Sequence, residues 1–190
     1  MISADLLLHA YRSGAFPMAT PGGKIAWFSP DPRAIIPLDD CFHIPHGLQR
    51  TLRKNGFEIR INTAFADVMR GCAAREETWI NGEVFDSYVN MHRLGLGHSV
   101  EAWRDGKLAG GLYGVTVGGA FFGESMFHRE TDASKVALVG LVSRMRARGF
   151  QLLDTQWTTP HLRTVGTTEV SRAKYVRLLH AALAAECRFV

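Results

Sequence analysis

The chain has 190 residues, 46% apolar and 21% charged, with a formal charge of +4, proportions ordinary for a soluble protein with one domain, or one domain and a small appendage. No window has the continuous apolar length of a membrane span, and the opening MISADLLLHAYRSG has neither a basic leader nor a small-residue cleavage site, so a cytoplasmic location is expected. Cys41, Cys72 and Cys187 show no CxxC spacing, which argues against a disulfide framework or a zinc knuckle, while the modest positive charge is compatible with a nucleic-acid partner.

Ser3 is placed to cap a first helix running through Tyr11 and Arg12, with Gly14 to end it. The stretch from GAFPMATPGGK to WFSPDPR is rich in proline and glycine, so continuous regular structure is not expected there. These residues, about 1–36, form a small N-terminal lobe in this reading, and 37–190 a larger domain. In HIPHGLQRTLRKNG, Leu48 and Leu52 share one helical face while Arg50, Arg53 and Lys54 make a basic stripe on another. FEIRIN alternates as a half-buried strand does, and two helical patterns come after it, one of them carrying Phe65, Val68, Met69 and Cys72 at core spacing.

Three strand-like segments come next, near HSVEAW, KLAGGLYGVTV and AFFGESMF, and their short connections predict an antiparallel meander. The spacing of Leu138, Leu141, Val142 and Met145 predicts a helix ending near Gly149. After it come a strand in FQLLDTQ, a short helix in TPHLRTVG opened by Thr159 and Pro160, and a last helix capped by Ser171. The order describes an α+β layered domain.

Two places offer chemistry. A period of two puts Asp154 and Gln156 on one face of LLDTQ, as a buried hydrogen-bonded pair, a catalytic pair or two residues at a solvated strand end. Glu124, in GESMF, lies among apolar neighbours and requires either a structural cation or a ligand, with Gly123 available to bulge the strand and re-aim it. Trp27, Phe28, Trp79 and Trp157 can stack on an unpaired base, although such residues more often serve as core or loop anchors. The chain has no GxxxxGK[ST], GxGxxG or HExxH; the HxxH of His43 and His46 encloses Pro45 and has no third ligand in view, and Ser125 lacks a GxSxG elbow.

Taken together, AYRSGAFPM, WFSPDPR, ETWI, GHSVEAW, GGLYGV, GESMF followed by DASK, and LLDTQ with TPHLRTVG closely resemble the leucyl/phenylalanyl-tRNA protein transferases of bacteria, in the same order and over nearly the whole chain. The resemblance implies an acyl-CoA N-acyltransferase-type (GNAT-like) domain beside the small N-terminal lobe. It further implies transfer of Leu or Phe, and Met less well, from aminoacyl-tRNA to proteins that begin with Arg or Lys, marking them for degradation by the N-degron pathway. No cofactor, metal or membrane is implied.

Carried over by motif, Gln156 accepts a hydrogen bond from the attacking amine and Asp154 orients it. Glu124 faces the acceptor's basic side chain or an ammonium at the reaction centre. Leu112, Phe121, Gly123, Met126 and Leu153 wall the Leu/Phe pocket, where a methionine adapts to both shapes. Tyr11, Trp79 and Tyr88 lie near the terminal adenosine, and Arg50, Arg53 and Lys54 meet the acceptor stem. Departures from the family pattern are the start at SADLLLHAY without a longer leader, from which a reduced lobe is expected, and Met18, Phe28 and His128 where many members carry Trp, Trp and Ser. Competing readings are an acetyl-CoA-dependent N-acetyltransferase, although TDASK stands where such enzymes open a helix with a glycine-rich loop, and a non-catalytic tRNA-binding module.

Overall fold

The computed structural model describes residues 1–190. Helix α1 (Ala4–Arg12) starts where the Ser3 hydroxyl accepts from the Leu6 N–H, and a hairpin of β1 (Phe16–Ala19) and β2 (Ile25–Phe28) comes after it. Next are β3 (Arg33–Ile36), α2 (His46–Arg53), β4 (Glu58–Ile61), α3 (Phe65–Ala73) and α4 (Gly82–Arg93). The meander is β5 (Gly97–Arg104), β6 (Lys107–Val117) and β7 (Ala120–His128), with Asp105 and Gly106 both at positive φ in its first turn, as a tight two-residue hairpin requires. The chain closes with α5 (Ala133–Ala147), β8 (Leu152–Gln156), α6 (Pro160–Arg163), β9 (Thr168–Val170) and α7 (Arg172–Leu183), whose Ser171 cap accepts from Lys174.

A seven-stranded sheet in the order β4-β5-β6-β7-β8-β3-β9 is antiparallel throughout, except that α5 carries the chain back so that β8 runs parallel to β7. Alternation along the strands divides two apolar layers. Leu112, Phe121 and Leu153 face α5 and Leu48 of α2, while Tyr113, Phe122 and Leu152 face Tyr11, Val68, Tyr88 and Leu179 of α1, α3, α4 and α7. Below α3, the buried Glu101 carboxylate accepts from the Thr63 and Ala64 N–H groups and the Ser99 hydroxyl, so the helix end is satisfied without exposing a charge to an apolar layer.

Two irregularities flank β7, one on each side. Pairing of β7 with β8 covers only Ala120↔Leu152 to Phe122↔Asp154, after which β7 runs on to His128 with no strand on that side. Between β6 and β7 the register slips, pairing Tyr113 with Ser125 and Gly114 with Gly123, so Glu124 is the added residue of a bulge.

The meander, α5, the strand in LLDTQ and the last helix agree with the sequence. The proline-rich stretch differs: it forms the β1–β2 hairpin, in which Pro17 opposite Trp27 sits on a two-stranded ribbon with no inner strand to disrupt. Residues 33–36, read as part of the N-terminal lobe, instead pair with both β8 and β9 in the main sheet. The lobe has no core of its own, because Ile2, Leu7, Tyr11 and Phe16 join the same apolar layer as β6 and β7.

A side chain at Gly114 would collide with the Phe122 carbonyl oxygen, a backbone atom that cannot swing aside. Gly114→Ala is therefore expected to cost about 2 to 3 kcal/mol in urea unfolding, with the loss traceable to the bulge that aims Glu124.

Candidate active site

A cleft of about 980 Å³ opens where β7 and β8 part. Its apolar end is built from Leu112, Met126, Leu138, Leu141, Leu153 and Leu162, and Met18, Trp79, Trp157 and the buried Phe16 add thioether and aromatic surface. Glu124, Ser125, Thr155 and Gln156 supply the polar groups of the parted strands, with Arg70, Arg75, His128, Arg129 and His161 around them. Such a cavity can hold an apolar side chain at one end and a polar reaction centre at the other.

Gln156 is set by a clamp beneath it. Asp154 is fully buried, and both its oxygens accept from Arg33, Nε to Oδ1 at 2.9 Å and Nη2 to Oδ2 at 2.8 Å. Oδ2 also accepts from the Tyr175 hydroxyl at 2.6 Å, and Oδ1 from the Gln156 backbone N–H at 2.9 Å. Arg33 is 1% exposed, lies between the rings of Phe16 and Tyr175, and gives Nη1 to the Gly14 carbonyl. Burial costs so much for either charge alone that the bidentate geometry and the added hydrogen bonds are what make the pair tolerable.

The clamp holds Gln156 at φ 61°, a left-handed conformation unusual for a side chain with a Cβ. Opposite it, β3 slips by one residue, pairing Ala34 with Gln156 and Ile35 with Asp154, so Thr155 becomes an added residue. The Gln156 side chain is 6% exposed, lines the cleft, and its Nε2 has no partner within the protein. A buried amide without a partner costs about 1 to 3 kcal/mol, so a ligand in the cleft is its natural complement.

Glu124 finds no cation. Its Oε1 accepts from the Tyr11 hydroxyl at 2.7 Å and its Oε2 from the Tyr88 hydroxyl at 3.1 Å, while the two hydroxyls also touch each other. Burial is the main reason its carboxyl is pushed up to about 7, with the nearby Asp154 charge adding to the rise; Arg33 opposes it, as does each tyrosine hydroxyl when counted singly as a donor to the carboxylate, apart from the contact between the two hydroxyls. No group of three or more His, Cys, Asp or Glu side chains forms a metal ligand set.

The family model described as leucyl/phenylalanyl-tRNA protein transferase matches residues 35–180, and the model of that family's N-terminal domain matches residues 1–31. The chain belongs to the leucyl/phenylalanyl-tRNA protein transferase family. It is 56% identical over 186 residues to the leucyl/phenylalanyl-tRNA--protein transferase of Akkermansia muciniphila, covering 96% of each chain. To the protein of that name in Herpetosiphon aurantiacus it is 55% identical over 188 residues, covering 99% of this chain and 98% of the other. The relative in Paramagnetospirillum magneticum is 56% identical, over 96% of this chain and 90% of its own. Among solved structures, L-PGS from Bacillus licheniformis aligns at a TM-score of 0.45 and 12% identity over 80% of this chain and 53% of that one, too distant to fix a fold. Family membership makes the protein an aminoacyltransferase.

Of the residues matched to the family by motif, Glu124, Gln156, Leu112, Gly123, Met126, Leu153 and Trp79 line the cleft together. Phe121 does not: it is fully buried behind the wall, 5.3 Å from the Phe189 ring. Asp154 is also absent from the wall, and it orients Gln156 through the backbone N–H rather than through the side chain. Tyr11 and Tyr88 are fully buried, so they are not surfaces for an adenosine; their rings pack on Phe122 and Tyr113 and their hydroxyls hold Glu124. Arg50 and Arg53 are on α2 and Lys54 at its end, outside the cleft lining.

Sequence reasoning missed Arg33, whose only signal was an arginine in WFSPDPR with no helical or strand pattern around it. It also missed Arg75, which reaches across from just beyond α3 to give Nη2 to the Ser125 hydroxyl and the Met126 carbonyl, and His161, whose buried Nε2 has no partner.

Removing one partner of the Arg33–Asp154 pair leaves a buried charge alone, so Asp154→Ala and Arg33→Ala are each expected to lose about 3 to 5 kcal/mol in urea unfolding. The double variant Arg33→Met with Asp154→Leu should lose less than either. For Glu124, a carboxyl raised to about 7 in the folded protein stabilises the fold fully below its unfolded value, and this contribution disappears as pH rises through about 7. The wild type should thus lose roughly 3 kcal/mol relative to Glu124→Gln between pH ~4 and pH ~8, read as the pH dependence of the difference in unfolding free energy.

Proposed function

We propose that the protein transfers Leu or Phe, and Met less well, from aminoacyl-tRNA to the α-amino group of proteins beginning with Arg or Lys, marking them for the N-degron pathway. The observation that carries the reading is the cleft whose apolar end, closed by Leu112, Met126, Leu138 and Leu153, meets the unpartnered Gln156 amide and the Glu124 carboxyl. The meander, crossover helix and parallel strand support a GNAT-like fold for the larger domain.

The apolar end takes the Leu or Phe side chain, and flexible Met126 adjusts to either shape. One methylene separates substrates by only about 1 to 3 kcal/mol in such a pocket, which leaves room for Met. Trp79 and Trp157, facing the cleft at its rim, offer flat surfaces for the terminal nucleotide of the tRNA. The stripe of Arg50, Arg53 and Lys54 on and just beyond α2 suits phosphates further along the acceptor stem.

Aminolysis of the ester requires positioning more than strong acids or bases. The acceptor's α-amine attacks the ester carbonyl, a C–N bond forms, the C–O bond to the ribose breaks, and the departing oxygen takes a proton. Gln156, fixed through its backbone by Asp154, holds the amine by accepting with Oε1, while Nε2 remains free to donate to substrate. Glu124 contributes the negative charge that a basic acceptor requires. Asp154 touches no substrate in this scheme and acts as a positioning residue.

Purified protein should transfer radiolabelled Leu from Leu-tRNA to a peptide beginning with Arg and not to one beginning with Ala. Equal labelling of both peptides, labelling of neither, or acetyl transfer from acetyl-CoA instead would overturn the reading. Gln156→Ala is expected to lower kcat by about 10²-fold or more while leaving Leu-tRNA affinity within a few-fold, measured by filter binding.

A further inference from the structure

Tyr11, Tyr88 and Glu124 make three oxygen–oxygen contacts, and none of the three groups bonds to anything else in the protein through its side chain: Tyr11 to Tyr88, Tyr11 to Oε1 and Tyr88 to Oε2. Each contact requires one hydrogen. The two phenols supply two. With Glu124 ionised, one of the three contacts is left as two lone pairs facing each other inside a buried site. With Glu124 protonated, the count is three hydrogens for three contacts, and the ring closes.

We propose that this ring accepts the surplus proton of the acceptor's α-ammonium, which makes Glu124 the base of the transfer and Tyr11 and Tyr88 its positioning residues. The inference rests on the aminoacyl-transfer reading above and deepens it, since a protein N-terminus arrives largely as ammonium and cannot attack an ester until it loses a proton. Glu124 lines the cleft and reaches substrate directly, whereas the two tyrosines are sealed behind it.

In the step, the α-ammonium gives one proton to the Glu124 carboxylate and becomes an amine, and the ring gains its third hydrogen. The amine lone pair forms the C–N bond, the ester C–O bond breaks, and the second amine proton passes to the ribose oxygen. Glu124 then returns its proton to solvent. The sum is one ammonium and one ester converted to one amide, one alcohol and one proton.

The surroundings suit a carboxyl that exchanges its proton near neutrality. Tyr113 of β6 faces the ring with a buried hydroxyl that bonds to nothing. Asp154 of β8 adds negative potential that favours the protonated form, and Arg33 of β3 offsets part of it. Arg75, just beyond α3, is tied to Ser125 beside Glu124, and Cys72 of α3 is a buried thiol pushed up to about 12, hence uncharged. No cation contacts the carboxylate to hold it ionised.

The experiment is the pH dependence of kcat/KM for Leu transfer to an Arg-first peptide, with the Glu124 carboxyl titrated in parallel by 13C NMR in the substrate-free protein. The wild type should lose activity as pH falls through about 7, and Glu124→Gln should remove that limb and lower kcat by about 10²-fold or more. Tyr11→Phe and Tyr88→Phe keep the rings and their packing. Each deletes two contacts from the protonated form but only one bond, together with the bare contact, from the ionised form. The activity limb and the NMR titration should therefore both move to lower pH.

A move to higher pH would mean that the tyrosines only donate to a carboxylate, and no move would mean that they only pack; either overturns the proposal. It is equally overturned if Glu124→Gln keeps the limb and alters only the preference for Arg-first over Ala-first peptides. If the wild type transfers no amino acid, the function reading fails, and the NMR titrations alone still decide whether the ring holds the proton.

Discussion

The buried contact between Arg33 and Asp154 is the constraint on which the active strand depends. β8 has to end in a residue that faces the cleft from a left-handed backbone, and nothing in the local sequence LLDTQ favours that conformation at Gln156. The Asp154 carboxylate enforces it by accepting the Gln156 N–H, and Arg33 and Tyr175 in turn fix the carboxylate. Because Arg33 belongs to β3, the clamp also decides that β3 joins the main sheet beside β8. A replacement by apolar groups of similar volume can match its stability, but it cannot supply the acceptor that Gln156 needs.

The second constraint is geometric. Strict alternation along β7 would put Met126 on the same face as Phe122 and Glu124, in the layer of Tyr11 and Tyr88 and away from Leu112 and Leu153. The bulge opposite Gly114 breaks the alternation after Glu124, so Glu124 keeps the face of Phe122 and meets two hydroxyls there, while Met126 turns to the other layer and joins the cleft wall. Clamp and bulge act on the two strands that part, one on each side of the opening.

Much of this was legible in the sequence where the signal is local. Helix caps at Ser3, Thr159 and Ser171, the alternation in β5 to β8 and the spacing of Leu138, Leu141 and Met145 each arise from a few neighbouring residues, and the elements stand where they point. The motifs also brought seven cleft residues together. What the sequence could not disclose depends on partners far along the chain. Asp154 and Gln156 share a strand, yet their roles divide because an arginine from β3 occupies the carboxylate. Tyr11 and Tyr88 look like stacking residues until α1 and α4 fold their hydroxyls onto a bulge. Phe121 shares the face of Leu112 and Leu153, but it stands where β7 and β8 are still paired and packs on Phe189, so it is enclosed before the cleft opens.

Arg33 and Asp154 are 121 residues apart. On the ribosome, the segment that holds Arg33 and Gly14 therefore emerges long before the strand it must grip, and no nearer carboxylate in the chain pairs with that guanidinium. The meander and α5, all synthesised earlier than β8, supply one side of the cleft only, because Leu153, Gln156, Trp157 and Leu162 come after them. An unfinished chain thus has half a cleft and no anchored Gln156. Competence arrives late and all at once, in a protein whose substrate, charged tRNA, surrounds it from the moment its synthesis begins.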